Sequence, residues 1–347
     1  MSELSVMNKN YRYLFSWKSW FTFLLSFVFL WLAFRSVDVK HVLSILINTS
    51  YPEILASIAV YFLGVLVRAF RWGLLLSPYK RCSIRHLFSS LTVGYMGNDV
   101  LPARAGEFVR VYLLSKFEGV SKSLSLGTIL IERFMDAIVM LAIAFGASFL
   151  VSISRDAGHV MLIVALLLLV AMLFLISLAY MPYSTIIFIS RLFPIRGFDR
   201  IGEIFTRFIS GVKILRSPRI VVGGLILSSL SWMIEGITYW LVAKSIDFDF
   251  SFSYVLLTLA VANLFTLIPA APGYIGTFEA GVLLALSSVS FLSKEAILGY
   301  AFLLHVVLVV PVILVGTLLW FLLGVRLSVI SSLATRKDAV VDLSGGK

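Results

Sequence analysis

The segment that decides the fold is GYMGNDVLPARAGEFVR, at residues 94–110. It places charges and the helix breakers Pro102 and Gly106 where an apolar helix would otherwise cross a membrane. A second segment, NLFTLIPAAPGYIGTFE at residues 263–279, repeats the pattern of an asparagine, an apolar step, Pro-Ala, a glycine-rich turn and a glutamate. Each segment therefore predicts two half-length helices that meet at a turn.

The composition indicates an integral membrane protein. Hydrophobic residues make up 60% of the chain and charged residues 14%, whereas about 25% of residues are charged in soluble domains. Backbone polar groups must be paired within hydrocarbon, so the spanning elements must be helices. We predict an all-α polytopic membrane protein with about six full spanning helices and two re-entrant helical hairpins in an inverted repeat.

The charges predict the topology. Lys and Arg collect in cytoplasmic loops, so the net charge of +11 is first a signal of topology. The same basic loops would also attract anionic lipid headgroups. Nothing in the sequence suggests a nucleic-acid partner. Both termini are expected in the cytoplasm of a cell-membrane protein. The single cysteine, Cys82, excludes an intramolecular disulfide and a multi-cysteine metal site, and no cofactor is expected.

We divide the chain into a cytoplasmic tail at 1–19, a transmembrane domain at 20–323 and a second tail at 324–347. The apolar run after the first tail lacks a small-residue cleavage site, so it is expected to be retained. A stretch around 201–215 has apolar residues at helical spacing and is expected along the membrane surface. The predicted full spans are 20–34, 52–76, 124–151, 160–180, 220–243 and 296–323.

The two interrupted segments predict an inverted repeat. The hairpins, at about 84–114 and 252–292, are expected to dip in from opposite sides, each followed by one long helix. The repeat units are therefore 84–151 and 252–323. Such repeats are a recurrent plan of transporters that expose one site alternately to two sides. The alternative is a static bundle in which both hairpins are ordinary short helices.

Ionisable residues within the spans are the functional candidates, because a charge at the bilayer centre costs about 2.5–3.5 kcal/mol. Glu132 and Asp136 share a helix face, and Arg133 can pair with Asp136 three residues on. The same charges would also serve as a structural ion-pair cluster. The predicted substrate-binding residues are Asn98, Arg104, Glu107, Arg110, Glu132, Arg133, Asp136, Asn263 and Glu279. The predicted helix breaks are Pro102, Gly106, Pro269, Pro272, Gly273 and Gly276.

A lipid headgroup suits these residue types. Guanidinium groups bind phosphodiester oxygens in a bidentate manner, and half-helix N-termini add amide donors. Arg104 is the predicted headgroup contact, with Glu107 and Glu132 as its restraints. Acidic partners would equally hold a cationic headgroup or carry a coupling proton.

Other ionisable residues receive different predictions. Glu279 is expected either to meet a basic group of the first unit or to be protonated. Arg68 and Arg71 are predicted to be snorkelling anchors near the inner end of their helix. Glu235 is predicted to be isolated, and so is His305, as a packing residue rather than a proton carrier.

Three ordered motifs carry a family resemblance. They are Asn98-x3-Pro102-x-Arg104-x-Gly106-Glu107-x2-Arg110, then Glu132-Arg133-x2-Asp136, then Pro269-x2-Pro272-Gly273-x2-Gly276-x2-Glu279. They resemble the lysylphosphatidylglycerol synthase transmembrane family of flippase-like proteins, over about residues 21–323. Members of that family often carry an arginine in the last long helix, where this chain has His305.

The resemblance implies a lipid-translocating domain, which in the best known members moves aminoacylated phosphatidylglycerol between leaflets. A soluble aminoacyl-transferase domain follows in those members, so a stand-alone chain without it is not expected to perform synthesis. Stand-alone relatives are associated with hopanoid, glycolipid or polyprenyl-linked sugar pathways.

The resulting hypothesis is transbilayer translocation of a polar-headgroup lipid such as a modified phospholipid, glycolipid or polyprenyl-linked lipid. The expected partners are that membrane lipid, a lipid-modifying enzyme of the same pathway and a second copy of the chain. We do not expect an enzyme, because no Cys and His cluster, phosphate-cradling glycine loop or serine elbow is found. The alternatives are a membrane-embedded lipid-linked transferase or its accessory subunit, and a structural scaffold.

Overall fold

A computed structural model describes most of the chain. The described residues are 47–101, 105–151, 155–180, 206–249, 251–266, 268, 271–287, 289 and 292–324. Within these ranges all regular structure is helical, which confirms the predicted all-α class. The predicted first span at 20–34 lies outside the described residues, and so do Pro102, Arg104 and Pro269.

Nine helices are described in chain order. They are α1 Tyr51–Leu76, α2 Ile84–Val100, α3 Gly106–Glu118, α4 Lys122–Ser148, α5 Arg155–Tyr180, α6 Pro218–Lys244, α7 Phe252–Phe265, α8 Thr277–Leu286 and α9 Lys294–Leu322. Short 3-10 turns at Lys213–Arg216 and Pro272–Tyr274 precede α6 and α8. A helical stretch at 206–212 leads into the first of these turns.

Five of the helices are long. Helices α1, α4, α5, α6 and α9 contain 26 to 29 residues, or about 39–44 Å at 1.5 Å per residue. By length and composition, α1, α6 and α9 are apolar enough to cross a membrane. Their bounds agree with the predicted spans to within a few residues. The number of spans and the membrane face of each loop stay predictions.

Each interrupted segment folds as two half-length helices packed antiparallel. Helices α2 and α3 contain 17 and 13 residues, and α7 and α8 contain 14 and 10. A Cβ on Gly97 would lie 2.8 Å from the Cα of Gly106, and one on Gly281 would lie 2.8 Å from the Cα of Ala262. Glycine contacts thus bring the backbones together in both hairpins, whose entry from opposite membrane faces stays a prediction.

The turn between α7 and α8 depends on two of the predicted glycines. Gly273 has φ 72° and Gly276 has φ 90°, in a region of backbone space that side chains with a Cβ rarely adopt. The backbone N–H of Gly276 donates to the Glu279 carboxylate at 2.7 Å. This bond caps the first turn of α8 and fixes the acid at the tip of the hairpin.

Helix α9 packs against both hairpins. Its Gly316 lies against Met96 of α2, because a Cβ there would approach the Met96 Cβ to 2.6 Å. Further towards its N-terminus, Ala301 and Leu304 belong to the same buried cluster as Val282 of α8. One long helix therefore forms a common wall behind the two interrupted segments.

The stretch at 206–212 packs on the protein. Ile209 and Val212 are fully buried, and a Cβ on Gly211 would lie 2.9 Å from the Cα of Gly127 in α4. Its buried residues therefore face the protein, and its position along the membrane surface stays a prediction.

Candidate functional site

A cavity lies between the two hairpins, and we call it the polar cavity because several charged side chains lie in its largely apolar wall. Its volume is about 240 Å³, and α1, α4, α6 and α9 complete its walls. Tyr61, Tyr95, Asn98 and Asn263 add neutral polar groups. The charged and histidine side chains that line it are Arg68, Asp99, Glu107, Arg133, Asp136, Glu235 and His305.

Arg71 of α1 is the most buried arginine beside this cavity. Its guanidinium is completely inaccessible, and it binds Asp136 through both terminal nitrogens, the second at 3.1 Å. It also lies 3.1 Å from Glu132 and donates to the Ser228 hydroxyl at 2.6 Å. Such a buried charge is tolerated because it is paired and hydrogen-bonded.

Arg110 of α3 locks the first hairpin to α4. Its two terminal nitrogens donate to the two Glu132 oxygens at 3.2 and 2.9 Å, a bidentate geometry that strengthens the pair. The guanidinium lies 4.1 Å from the Trp72 ring centroid, within cation–π range. Arg110 and Glu132 are both fully buried and do not line the cavity.

Arg133 of α4 presents its guanidinium to the cavity. The side chain is 40% exposed, against 5% for the Arg68 side chain. It lies 2.9 Å from Glu107, and 3.8 Å from both Glu132 and Asp136. Among the described arginines of the cavity wall, it is therefore the one with donors available to a ligand.

Arg68 and Glu235 form a second buried pair, from α1 to α6. The Arg68 guanidinium lies 4.5 Å from the Trp232 ring centroid, and the Trp232 indole donates to Asp136 at 2.9 Å. The prediction that Arg68 and Arg71 are snorkelling anchors is wrong, because both side chains point inward to acids. The prediction that Glu235 is isolated is wrong for the same reason.

His305 of α9 joins the tip of the second hairpin to the last helix. Its Nδ1 lies 2.5 Å from a Glu279 oxygen, and its Nε2 lies 2.7 Å from the Gly273 carbonyl oxygen. Phe278 packs edge-on against the imidazole at 5.1 Å. Of the two alternatives predicted for Glu279, a basic partner from the first unit is wrong, since its partner comes from its own unit, and protonation stays a prediction. His305 is likewise not isolated.

The predicted site residues divide into three groups. Asn98, Glu107, Arg133, Asp136 and Asn263 line the cavity. Behind its surface lie Arg110, Glu132 and Glu279. Arg104 lies outside the described residues, so its role as the headgroup contact stays a prediction. Glu107 and Glu132 bind other arginines of the network.

Sequence reasoning missed several members of the cavity wall. Asp99 follows Asn98 directly and lines the cavity, as do Arg68, Glu235 and His305. One signal was available: Arg68 and Arg71 are three residues apart in an apolar helix, so they share a face. Two arginines on one face of a spanning helix call for acidic partners inside the protein.

The charges balance in the arginine network, which joins α1, α3, α4 and α6. The four arginines Arg68, Arg71, Arg110 and Arg133 bind the four carboxylates of Glu107, Glu132, Asp136 and Glu235. A phosphate oxygen that reaches the exposed guanidinium of Arg133 can replace the Glu107 carboxylate, which also lies 3.4 Å from Arg110. An anionic group can therefore bind Arg133 while the Glu107 carboxylate keeps Arg110 as its partner.

An apolar groove of about 200 Å³ lies on the other side of α2. It runs between the first hairpin and the C-terminal half of α9. Its lining residues are Met96, Gly97, Val100, Leu101, Val109, Thr317, Trp320 and Phe321. Helix α2 therefore separates a polar cavity from an apolar groove.

Comparison with known proteins points to one family of membrane proteins. A family model described as the lysylphosphatidylglycerol synthase TM region matches residues 19–316. A UPF0104 membrane protein of Methanocaldococcus jannaschii is 25% identical over 58% of this chain and 84% of its own length. A UPF0104 membrane protein of Methanothermobacter thermautotrophicus is 27% identical over 65% of this chain and 70% of its own length.

Proposed function

We propose a function from one premise: the chain belongs to the family of the lysylphosphatidylglycerol synthase transmembrane region. It is a multi-pass membrane protein of that family. We propose that it moves a polar-headgroup lipid between membrane leaflets, as a flippase or a scramblase. Modified phospholipids, glycolipids and polyprenyl-linked lipids all combine the polar headgroup and apolar tail that this proposal requires.

The observation that carries the proposal is the polar cavity between two interrupted helix pairs. Half-length helices that meet near the midplane at a binding site are typical of alternating-access transporters. Here both hairpins contribute, through Asn98 and Asp99 on one side and Asn263 and Gly273 on the other. A rigid scaffold does not need an open volume between charged groups, since charges within a membrane are costly.

In this proposal Arg133 binds the headgroup phosphate. Its guanidinium is 40% exposed, and its planar fork matches two phosphate oxygens. Arg71 and Arg110 hold the carboxylates of Glu132 and Asp136 in place from behind, which keeps Arg133 oriented. The lipid tail stays in the hydrocarbon, so that the headgroup alone enters the cavity.

We also propose the setting of this activity. The protein would lie in the cell membrane with both termini in the cytoplasm, and its two repeat units would enter from opposite faces. Its partners would be the lipid, an enzyme that modifies that lipid and a second copy of the chain. It would perform no covalent chemistry on the lipid itself.

The test is headgroup translocation in proteoliposomes. Fluorescent phosphatidylglycerol, a glycolipid and a polyprenyl phosphate are each placed in both leaflets, and a membrane-impermeant quencher reports how fast the inner pool reaches the outside. We expect at least one of these lipids to cross. Arg133→Gln should slow that lipid about tenfold or more, because it removes a charge-assisted bond worth about 1.5–3 kcal/mol.

Lys244→Gln is the matched control. Lys244 is 42% exposed and pairs with Asp249 at 3.3 Å, so its exposure is close to that of Arg133, but it does not line the cavity. Its rate should equal the wild-type rate. Equal slowing of both variants, or an unchanged Arg133→Gln rate for a lipid that crosses, contradicts the proposed site.

The transferase alternative gives a different result. In cells that lack the gene, lipid product that is made but confined to the inner leaflet indicates translocation, whereas missing product indicates a transferase or its accessory subunit. The scaffold alternative predicts that Glu132→Gln changes stability and leaves the translocation rate per folded molecule unchanged.

A further inference from the structure

We propose that His305 and Glu279 form a proton-binding site and that its occupancy sets the rate of lipid passage through the cavity. The coupling to lipid passage rests on the proposed function, whereas the proton site itself does not. The two side chains connect the second hairpin to α9, and His305 lines the cavity.

The hydrogen bonds determine how many protons the pair holds. The Gly273 carbonyl oxygen only accepts, so the Nε2 of His305 at 2.7 Å must carry hydrogen. The Nδ1 then lies 2.5 Å from a Glu279 oxygen, and that contact also requires a proton. The pair therefore holds one proton more than a neutral imidazole and a bare carboxylate do, whichever atom carries it.

Two carboxyls that can change charge face His305. Glu279 is on α8, and Asp99 faces the histidine from α2 across the cavity. The other charged groups of the cavity wall belong to the arginine network, and arginine does not give up its proton in proteins. They are Arg68, Glu107, Arg133, Asp136 and Glu235.

Loss of the proton would loosen the hairpin tip. A bare Nδ1 lone pair and a carboxylate oxygen at 2.5 Å are two acceptors that repel each other. Gly273, Gly276 and Glu279 form one turn at the tip, so this repulsion separates the tip from α9. Because α9 also packs on α2 through Gly316, the separation changes both walls of the cavity.

The proton site is tested directly by nitrogen-15 NMR of histidine-labelled full-length protein in nanodiscs. The chain has four histidines, and His305→Gln identifies the signal of interest. We expect the His305 signals to show a one-proton transition as the pH is varied. Glu279→Gln should abolish the shared proton and leave the Nε2 proton in place.

His86 is the matched control. Its Nδ1 lies 2.7 Å from Glu118, and its side chain is 39% exposed, so it forms the same kind of pair at the surface. His86→Gln should leave the His305 transition unchanged. A His305 signal that does not titrate, or that titrates identically in Glu279→Gln, overturns the proton site.

The coupling is tested with fluorescent phosphatidylglycerol, or whichever labelled lipid crosses, in proteoliposomes at a series of pH values. The wild-type and His86→Gln rates should change by up to about tenfold per pH unit, as expected when one proton controls a step. The rates of His305→Gln and Glu279→Gln should not depend on pH. Unaltered pH dependence in these variants overturns the coupling. If NMR shows the transition and no labelled lipid crosses in wild type, the translocation proposal and the coupling fail while the proton site stands.

Discussion

The two units that form the cavity hold their acids in different ways. In the first unit, Glu132 and Asp136 of α4 bind arginines from α1 and α3. In the second, Glu279 of α8 binds a histidine of α9 and a backbone N–H. Arginine keeps its charge at every physiological pH, whereas histidine gains and loses a proton in that range.

The arginine contacts are therefore expected to be rigid, whereas the contact between Glu279 and His305 can change with protonation. The arginine network joins α1, α3, α4 and α6 through contacts that need all of their charges. The tip of the second hairpin contacts α9 through apolar packing and through the pair of Glu279 and His305, whose strength depends on a proton. We infer that the first unit keeps the site in shape and that the second unit moves.

The largest effect is expected from Arg71→Met. This substitution leaves the buried carboxylates of Asp136 and Glu132 without one of their partners, which should lower the free energy of unfolding by about 3–5 kcal/mol. Denaturant titration in mixed micelles measures the loss. Arg133→Met, at a 40% exposed side chain, should lower the free energy of unfolding by about 1 kcal/mol or less. Equal losses for the two variants would contradict the claim that the buried arginine pairs stabilise the fold more than the exposed one.

The second prediction compares the acids of the two units directly. Glu132→Gln leaves Arg71 and Arg110 facing an uncharged amide, at a cost of about 3 kcal/mol. Glu279→Gln should cost only about 1 kcal/mol, because His305 can release its proton and become neutral. This difference is checked by measuring the free energies of unfolding of both variants under the same conditions. A larger loss for Glu279→Gln than for Glu132→Gln would contradict the prediction.

The third prediction concerns the glycine contacts that both hairpins share. A Cβ on Gly106 would lie 1.9 Å from the Gly94 carbonyl oxygen, so Gly106→Ala must separate α2 from α3. We expect a loss of about 1–3 kcal/mol, and a smaller loss for Gly281→Ala. Gly146→Ala is the control, because no atom of another part of the described protein lies within 4 Å of its Cβ position. A similar unfolding free energy for Gly106→Ala and Gly146→Ala would contradict the close approach.

The smallest effect is expected from the surface pair of Glu118 and His86. Burial opposes ionisation of the Glu118 carboxyl, but hydrogen bonds from His86 and from the Ser83 backbone N–H hold its pKa below the usual value. A lowered pKa in the folded state stabilises the protein above the unfolded pKa of about 4.3, and this contribution is lost as pH falls through the folded pKa.

Glu118→Gln should therefore reduce the free energy of unfolding by about 1 kcal/mol or less at neutral pH. The difference from wild type should vanish in acid, which unfolding curves at a series of pH values will show. A difference that persists below the folded pKa would mean that the carboxylate charge is not its source.

Much of the architecture could be predicted from the sequence because it depends on local pattern. Apolar runs gave the long helices to within a few residues, and helix breakers gave the two interrupted segments. The shared face of Glu132 and Asp136 follows from their spacing, and both contact Arg71. These features need no knowledge of how distant helices pack.

The partners of the charges could not be predicted in the same way. Arg68 and Glu235 are separated by 167 residues, and they meet because α1 and α6 pack against each other. The snorkelling prediction considered only the position of the arginines near a helix end. His305 and Glu279 are 26 residues apart, and only the return of α9 beside the hairpin tip brings them together.

Pocket filling tests the central claim most directly. Ala137 lines the cavity from α4, and Ala142 is exposed on the same helix, so Ala137→Trp fills the cavity without removing a charge and Ala142→Trp is its control. We predict that Ala137→Trp abolishes headgroup translocation and removes the lipid that copurifies in native mass spectrometry, while Ala142→Trp retains both. Translocation and bound lipid at wild-type levels in folded Ala137→Trp protein would contradict a headgroup site between the two hairpins.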